Sequence, residues 1–101
     1  MKDQGAIDNL EFLCRGLLCL NDMTECRRFL EDLCTQSELL EMSRRLQAAK
    51  MLRENYIYSE IAEQTGLSTA TISRVNRCLK YGDEKGYLSV LQKLERAGRR
   101  R

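Results

Sequence analysis

The sequence predicts an all-α protein of about six helices. Proline is absent from its 101 residues and glycine occurs only six times, so little in the composition interrupts helices. Apolar residues recur at steps of three and four residues along most of the chain, which is the spacing of one helix face. A chain of this length has room for one modest core. We therefore expect a single domain over residues 1–101.

Three helices are predicted in the first half of the chain. The first covers about Asp8 to Leu20 and carries a wide apolar stripe. The second follows Asn21 and Thr24, either of which is a suitable N-cap. The third runs from Thr35 to about Arg53. Its start is marked by a capping box, because the Thr35 hydroxyl can accept from the amide three residues on while Glu38 reaches back.

Three further helices are predicted in the second half. Two short ones, about Tyr58 to Thr65 and Ser68 to Tyr81, are followed by a final helix over about Glu84 to Glu95. Gly82 is expected to end the helix from Ser68 to Tyr81 in the left-handed conformation, which glycine adopts without a Cβ penalty. Residues 96–101 then form a basic tail with frayed ends.

Residues 58–77 have the pattern of a helix-turn-helix. Two helices that cross steeply need a small side chain where they touch, which Ala62 provides, and the short turn needs a positive φ, which Gly66 permits. The apolar wedge between the helices consists of Ile61, Leu67, Ile72 and Val75. A plain α-hairpin with a solvated polar face is the alternative interpretation.

The second of these helices has the side chains that a DNA-reading helix needs. Small residues near its start allow close approach to the major groove, and hydroxyl groups and an arginine can bond base edges. Arg74 is the best candidate for a guanine contact, and basic residues further along can neutralise phosphates. The predicted DNA-binding residues are Ser68, Thr69, Ala70, Thr71, Ser73, Arg74, Arg77 and Lys80.

Charge is distributed unevenly along the chain although the net charge is only +2. Residues 1–43 carry four basic and nine acidic side chains, whereas residues 44–101 carry thirteen basic and six acidic ones. A basic second half suits a chain that meets a polyanion there. Double-stranded DNA is therefore the expected partner of the helix-turn-helix.

Other function classes find little support in the sequence. Histidine is absent, and no paired carboxylates, glycine-rich phosphate loop or metal-ligand spacing can be found, so we expect neither an enzyme nor a metal site. No leader or membrane span is recognisable, which favours the cytoplasm and no membrane partner. The five cysteines include no CxxC pair and are interpreted as small buried residues, with a redox switch as the alternative.

Residues 29–35, 45–52 and 65–79 resemble the tryptophan repressor superfamily, and more closely its TrpR-related YerC/YecD group. The likeness extends over about residues 24–94. It implies an intertwined homodimer of six-helix subunits with two protruding DNA-binding heads. On that basis residues 1–57 and 84–95 are mainly dimerisation segments and residues 58–81 form the head. The apolar stripes of the first two helices and the last agree, because a monomer of this size could not readily cover them.

The resemblance also implies a ligand pocket. In the tryptophan repressor two arginines hold the corepressor indole, and Arg45 and Arg74 match them here. Val75 stands where the repressor has glycine, and its β-branched side chain would crowd the indole. We therefore expect no cofactor and no tryptophan switch, although another small-molecule effector stays open. Alternatively, Arg45 contacts a phosphate or an acidic side chain and Arg74 contacts DNA.

Two functional hypotheses follow. The first is a dimeric transcriptional regulator, in the role of a repressor, which reads a palindromic operator without tryptophan. The second treats the helix-turn-helix as a protein-docking element in a transcription or recombination complex, a reading motivated by the low net charge.

Overall fold

A computed structural model describes residues 3–99, without the side chain of Arg99. Over this range the chain is all-α, as predicted, and it contains no strand. The helices are α1 (Gln4–Leu18), α2 (Met23–Leu33), α3 (Gln36–Arg53), α4 (Tyr58–Thr65), α5 (Thr69–Tyr81) and α6 (Gly86–Arg99). No helix in this range is long and apolar enough to cross a membrane. Residues 3–39, the N-terminal unit, and residues 40–99, the C-terminal unit, are separately compact.

Short polar side chains determine where the first two helices begin. The Asp3 carboxylate accepts the amide of Ala6 at 2.7 Å, so α1 starts at Gln4, four residues before the predicted start. Asp22 accepts the amide of Glu25 at 2.8 Å and caps α2. The N-cap of α2 is therefore neither of the two flanking residues that the sequence suggested, but the aspartate between them.

The predicted capping box at the start of α3 is confirmed. The Thr35 hydroxyl accepts the Glu38 amide at 3.1 Å, and the Glu38 carboxylate accepts the Thr35 amide at 2.8 Å. At the other end, Asn55 adopts a φ of 67°, and the amide of Tyr56 donates to the carbonyl of Met51 at 3.1 Å. This reversal ends α3 in the manner of a Schellman motif.

The N-terminal unit has little buried surface of its own. Neither α1 nor α2 contains a buried residue. Phe12, Leu18 and Met23 are 72%, 85% and 75% exposed. The two helices approach each other at Gly16, where a Cβ would lie 3.7 Å from Cζ of Phe29. The unit thus presents apolar side chains that nothing within it covers.

The C-terminal unit contains a core that all four of its helices contribute to. The Arg53 guanidinium also binds the Glu95 carboxylate through two bonds, of 2.9 and 3.0 Å, and so ties the end of α3 to α6. The buried apolar residues are Ala48, Ala49, Met51 and Leu52 of α3, Ile61 of α4, Leu67 of the turn, Ile72, Val75 and Leu79 of α5, and Leu91 of α6.

The connection between α5 and α6 differs from the prediction. Gly82 is extended, with φ −68° and ψ 138°, and is not left-handed. Glycine is needed there for another reason, because a Cβ would lie 2.5 Å from the carbonyl oxygen of Cys78. The final helix runs over Gly86–Arg99, so the helix includes residues 96–99 that were expected in a frayed tail. Arg100 and Arg101 lie outside the described residues.

The prediction that the cysteines are buried is wrong for the single chain. Cys14, Cys19 and Cys78 are exposed, and Cys26 and Cys34 are half-buried. Four of the five lie on α1 and α2 or at their C-caps, and neither of these helices has a buried residue. The large apolar side chains of these two helices, such as Leu10, Leu18 and Leu33, are likewise exposed.

Candidate nucleic-acid interface

The helix-turn-helix consists of α4, a left-handed turn and α5. Gly66 has φ 76°, as its role in the turn requires, and its amide donates to the carbonyl of Ala62 at 2.9 Å. The buried Thr65 hydroxyl donates to the Ile61 carbonyl at 2.7 Å and accepts the Leu67 amide at 3.2 Å. These bonds satisfy the polar groups of the turn and fix the direction in which α5 leaves it.

The start of each helix is held by a side chain. At α4, the Glu60 carboxylate accepts the Ile57 amide at 3.2 Å. At α5, the Ser68 hydroxyl accepts the Thr71 amide at 3.2 Å and donates to the Thr71 hydroxyl oxygen at 3.1 Å. Two of the predicted DNA-binding residues, Ser68 and Thr71, therefore also form the N-terminal cap.

One side of α5 is buried and the opposite side is exposed. Ile72, Val75 and Leu79 are 0%, 3% and 6% exposed and anchor the helix in the core of the C-terminal unit. Of the predicted DNA-binding residues, Thr71 is half-buried. The exposed ones are Ser68, Thr69, Ala70, Ser73, Arg74, Arg77 and Lys80. The helix thus offers small, hydroxyl and basic side chains on a rigidly held element.

The basic residues of α5 have no internal partner within residues 3–99. Arg74, Arg77 and Lys80 form neither an ion pair nor a side-chain hydrogen bond in this range. They are exposed, so water solvates them in the single chain. Their charges are therefore available to phosphates or base edges without first breaking a contact.

Arg45 lies near Tyr87 of α6, a residue that the sequence did not single out for the site. Burial raises the pKa of the Tyr87 phenol, the positive charge of Arg45 lowers it and Cys78 raises it further. The spacing of Tyr87 indicated only an apolar face of the last helix. The electrostatic effect of Arg45 on this phenol joins α3 to α6, so it could be recognised only in the tertiary structure.

A hollow of about 590 Å³ lies next to this group. Residues of α3, α5, α6 and the connection between α5 and α6 line it, among them Leu46, Cys78, Tyr87 and Val90. Arg45, Arg74 and Val75, the predicted ligand pocket, are not among its lining residues. Val75 instead packs in the core.

The chain has relatives among known proteins. A family model described as Trp repressor protein matches residues 8–95, a longer stretch than the likeness seen in the sequence. The chain belongs to the Trp repressor family. Members of this family are DNA-binding regulators, and they are not enzymes.

Individual relatives agree with this membership. The chain is 51% identical to the uncharacterised protein YerC of Bacillus subtilis over 75 residues. The aligned region covers 74% of this chain and 72% of YerC. The crystal structure of a TrpR-like protein from Eubacterium eligens matches with a TM-score of 0.81 and 50% identity, over 87% of this chain and 90% of that one. The crystal structure of a candidate Trp repressor from Staphylococcus aureus matches with a TM-score of 0.80 and 41% identity, over 87% of each chain.

Proposed function

We propose that this member of the Trp repressor family is a sequence-specific transcriptional regulator that represses by binding a palindromic operator as a homodimer. The observation that carries the proposal is the two-sided character of α5. Ile72 and Val75 hold one side in the core, while Thr69, Ala70 and Arg74 are exposed on the other. Such a helix can enter a major groove without rearranging the unit that carries it.

The exposed apolar side chains support the dimer. In the N-terminal unit, Phe12, Leu18 and Met23 are largely exposed, and in the C-terminal unit Val90 and Leu94 of α6 are 48% and 55% exposed. Large apolar side chains that stay exposed on a small protein favour association. A twofold dimer would hold two copies of α5 about 34 Å apart, which is one turn of DNA, and would therefore read a palindrome.

Val75 supports control without tryptophan. Its side chain is 3% exposed and belongs to the core, and the resemblance places it where the tryptophan repressor has glycine beside the indole. A ligand at that point would have to displace a packed β-branched side chain. Arg45 and Arg74 then serve other roles, with Arg74 contacting DNA.

Selection of bound sequences from a random DNA pool tests the proposal. We expect enrichment of one palindromic sequence whose half-sites are centred about 10 base pairs apart, as a dimer of helix-turn-helix heads requires. Enrichment of a site without symmetry would contradict the dimer. A pool without enrichment, combined with stable capture of a protein partner, would favour the protein-docking alternative.

A further inference from the structure

The side chain of Arg44 covers the turn of the helix-turn-helix. At Gly66, the position that a Cβ would occupy lies 3.7 Å from Cζ of Arg44, 3.9 Å from Nη2 and 4.0 Å from Nε. The carbon is the nearest of these atoms and the two nitrogens are almost equally distant. The face of the guanidinium, and not its edge, therefore lies against the glycine.

A guanidinium that packs by its face keeps its N–H donors around the rim. Arg44 is half-buried. Within residues 3–99 it nevertheless forms neither an ion pair nor a side-chain hydrogen bond. A partly desolvated charge without a partner is costly, and an arginine that only supported the fold would be expected to have one. These unpaired donors are therefore available to an anion.

The position of Arg44 indicates which anion this is. Gly66 lies two residues before Ser68, the N-cap of α5. The first amides of a helix lack intrahelical partners, and the helix dipole favours negative charge at that end. We propose that Arg44 contacts a DNA phosphate beside the start of α5. The contact rests on the proposed function and adds a residue of α3, from outside the helix-turn-helix, to the interface.

The test compares the salt dependence of DNA binding for the wild type, Arg44→Gln and Arg44→Lys. Each phosphate contact contributes about 0.9 to the slope of log affinity against log salt concentration. The proposed homodimer carries two copies of Arg44, so we expect Arg44→Gln to reduce the magnitude of the slope by about 2 on a random-sequence duplex and on the selected operator alike. Between about 50 and 200 mM KCl, the two contacts of the dimer correspond to a roughly tenfold change in affinity. Arg44→Lys keeps the charge and should keep most of the slope.

Lys50→Gln is the matched control, because it removes one positive charge from the same helix. Lys50 is exposed and lines a hollow with Leu91 and Leu94 of α6, away from the turn. The salt dependence of DNA binding by Lys50→Gln should have the same slope as that of the wild type. Thermal melting verifies that each variant is folded. Should Arg44→Gln be unfolded, Arg44→Met replaces it, because the apolar stem keeps the packing on Gly66.

The outcomes separate this inference from the function on which it rests. A wild type without measurable affinity for DNA at low salt would overturn the proposed function and the inference with it. Wild-type binding with an unchanged slope in Arg44→Gln would overturn the inference alone. An equal loss of slope in Lys50→Gln would do the same, because the effect would then reflect net charge and not a contact.

Discussion

The two units of this chain differ in how completely they bury their own apolar surface. The C-terminal unit has a core of ten buried apolar residues. In the N-terminal unit, neither α1 nor α2 has a buried residue, although both carry apolar stripes. The difference teaches that the unit carrying the candidate DNA-reading helix is stabilised internally. The other unit exposes apolar side chains that a partner subunit would cover in the proposed homodimer.

The largest effect is expected in the core of the C-terminal unit. Ile61 of α4 is fully buried, and Ile61→Ala should lower the free energy of unfolding by about 2–5 kcal/mol because it leaves a cavity. Gln64→Ala, at an exposed position of the same helix, should change it by less than about 0.5 kcal/mol. Urea titration measures the free energy of unfolding of both variants. Equal losses would mean that this core does not stabilise the unit.

The second effect concerns the exposed face of the N-terminal unit. Phe12→Ser removes from each subunit a ring that the partner subunit would bury. Each ring contributes about 1.5–3 kcal/mol, so the loss of both weakens the dimer roughly a hundredfold or more. Glu11→Ser, at the neighbouring exposed position of α1, should leave the dimer unchanged. Sedimentation at several protein concentrations gives the dissociation constants. A monomeric wild type would refute the role assigned to this face.

The third effect separates the units by their part in DNA recognition. Arg74→Ala should cost about 1–3 kcal/mol on the selected operator and little on random DNA, because it removes a base contact. Arg27→Ala removes a charge from the N-terminal unit, where Arg27 lies 3.8 Å from Glu31, and should leave both affinities unchanged. Fluorescence anisotropy measures the affinity of each of the two variants for the operator and for random DNA. If Arg74→Ala lost the same factor on both DNAs, Arg74 would be a phosphate contact.

The smallest effect is expected from tryptophan. Because Val75 is packed in the core, L-tryptophan should neither release heat on titration nor change the affinity for the operator. Calorimetry measures the heat of titration, and fluorescence anisotropy measures the affinity for the operator. Micromolar binding of tryptophan would show that Val75 leaves room for the indole.

Local signals were sufficient to predict much of the C-terminal unit. The bounds of α4, the left-handed Gly66 and the Ser68 cap all depend on residues within a few positions of one another, and the structure has each of them as expected. The Thr35 capping box is a similar case. Short-range hydrogen bonds and steric limits determine such features, and both can be recognised in a sequence.

Features that depend on tertiary packing could not be predicted in this way. Gly82 has the residue type of a left-handed cap, but the close approach of the Cys78 carbonyl determines its role. The stacking of Arg44 on Gly66 joins residues on different elements. Exposure of the cysteines was also missed, because periodicity identifies an apolar face without revealing what covers it.

The central claim is that α5 reads a specific DNA sequence, and one comparison of affinities tests it most directly. At about 150 mM salt, the wild-type protein should bind the selected palindrome on the order of 10³-fold more tightly than a scrambled duplex of the same length and composition, or better. Equal affinity for the two duplexes would contradict the claim, because phosphate contacts alone would then account for all binding.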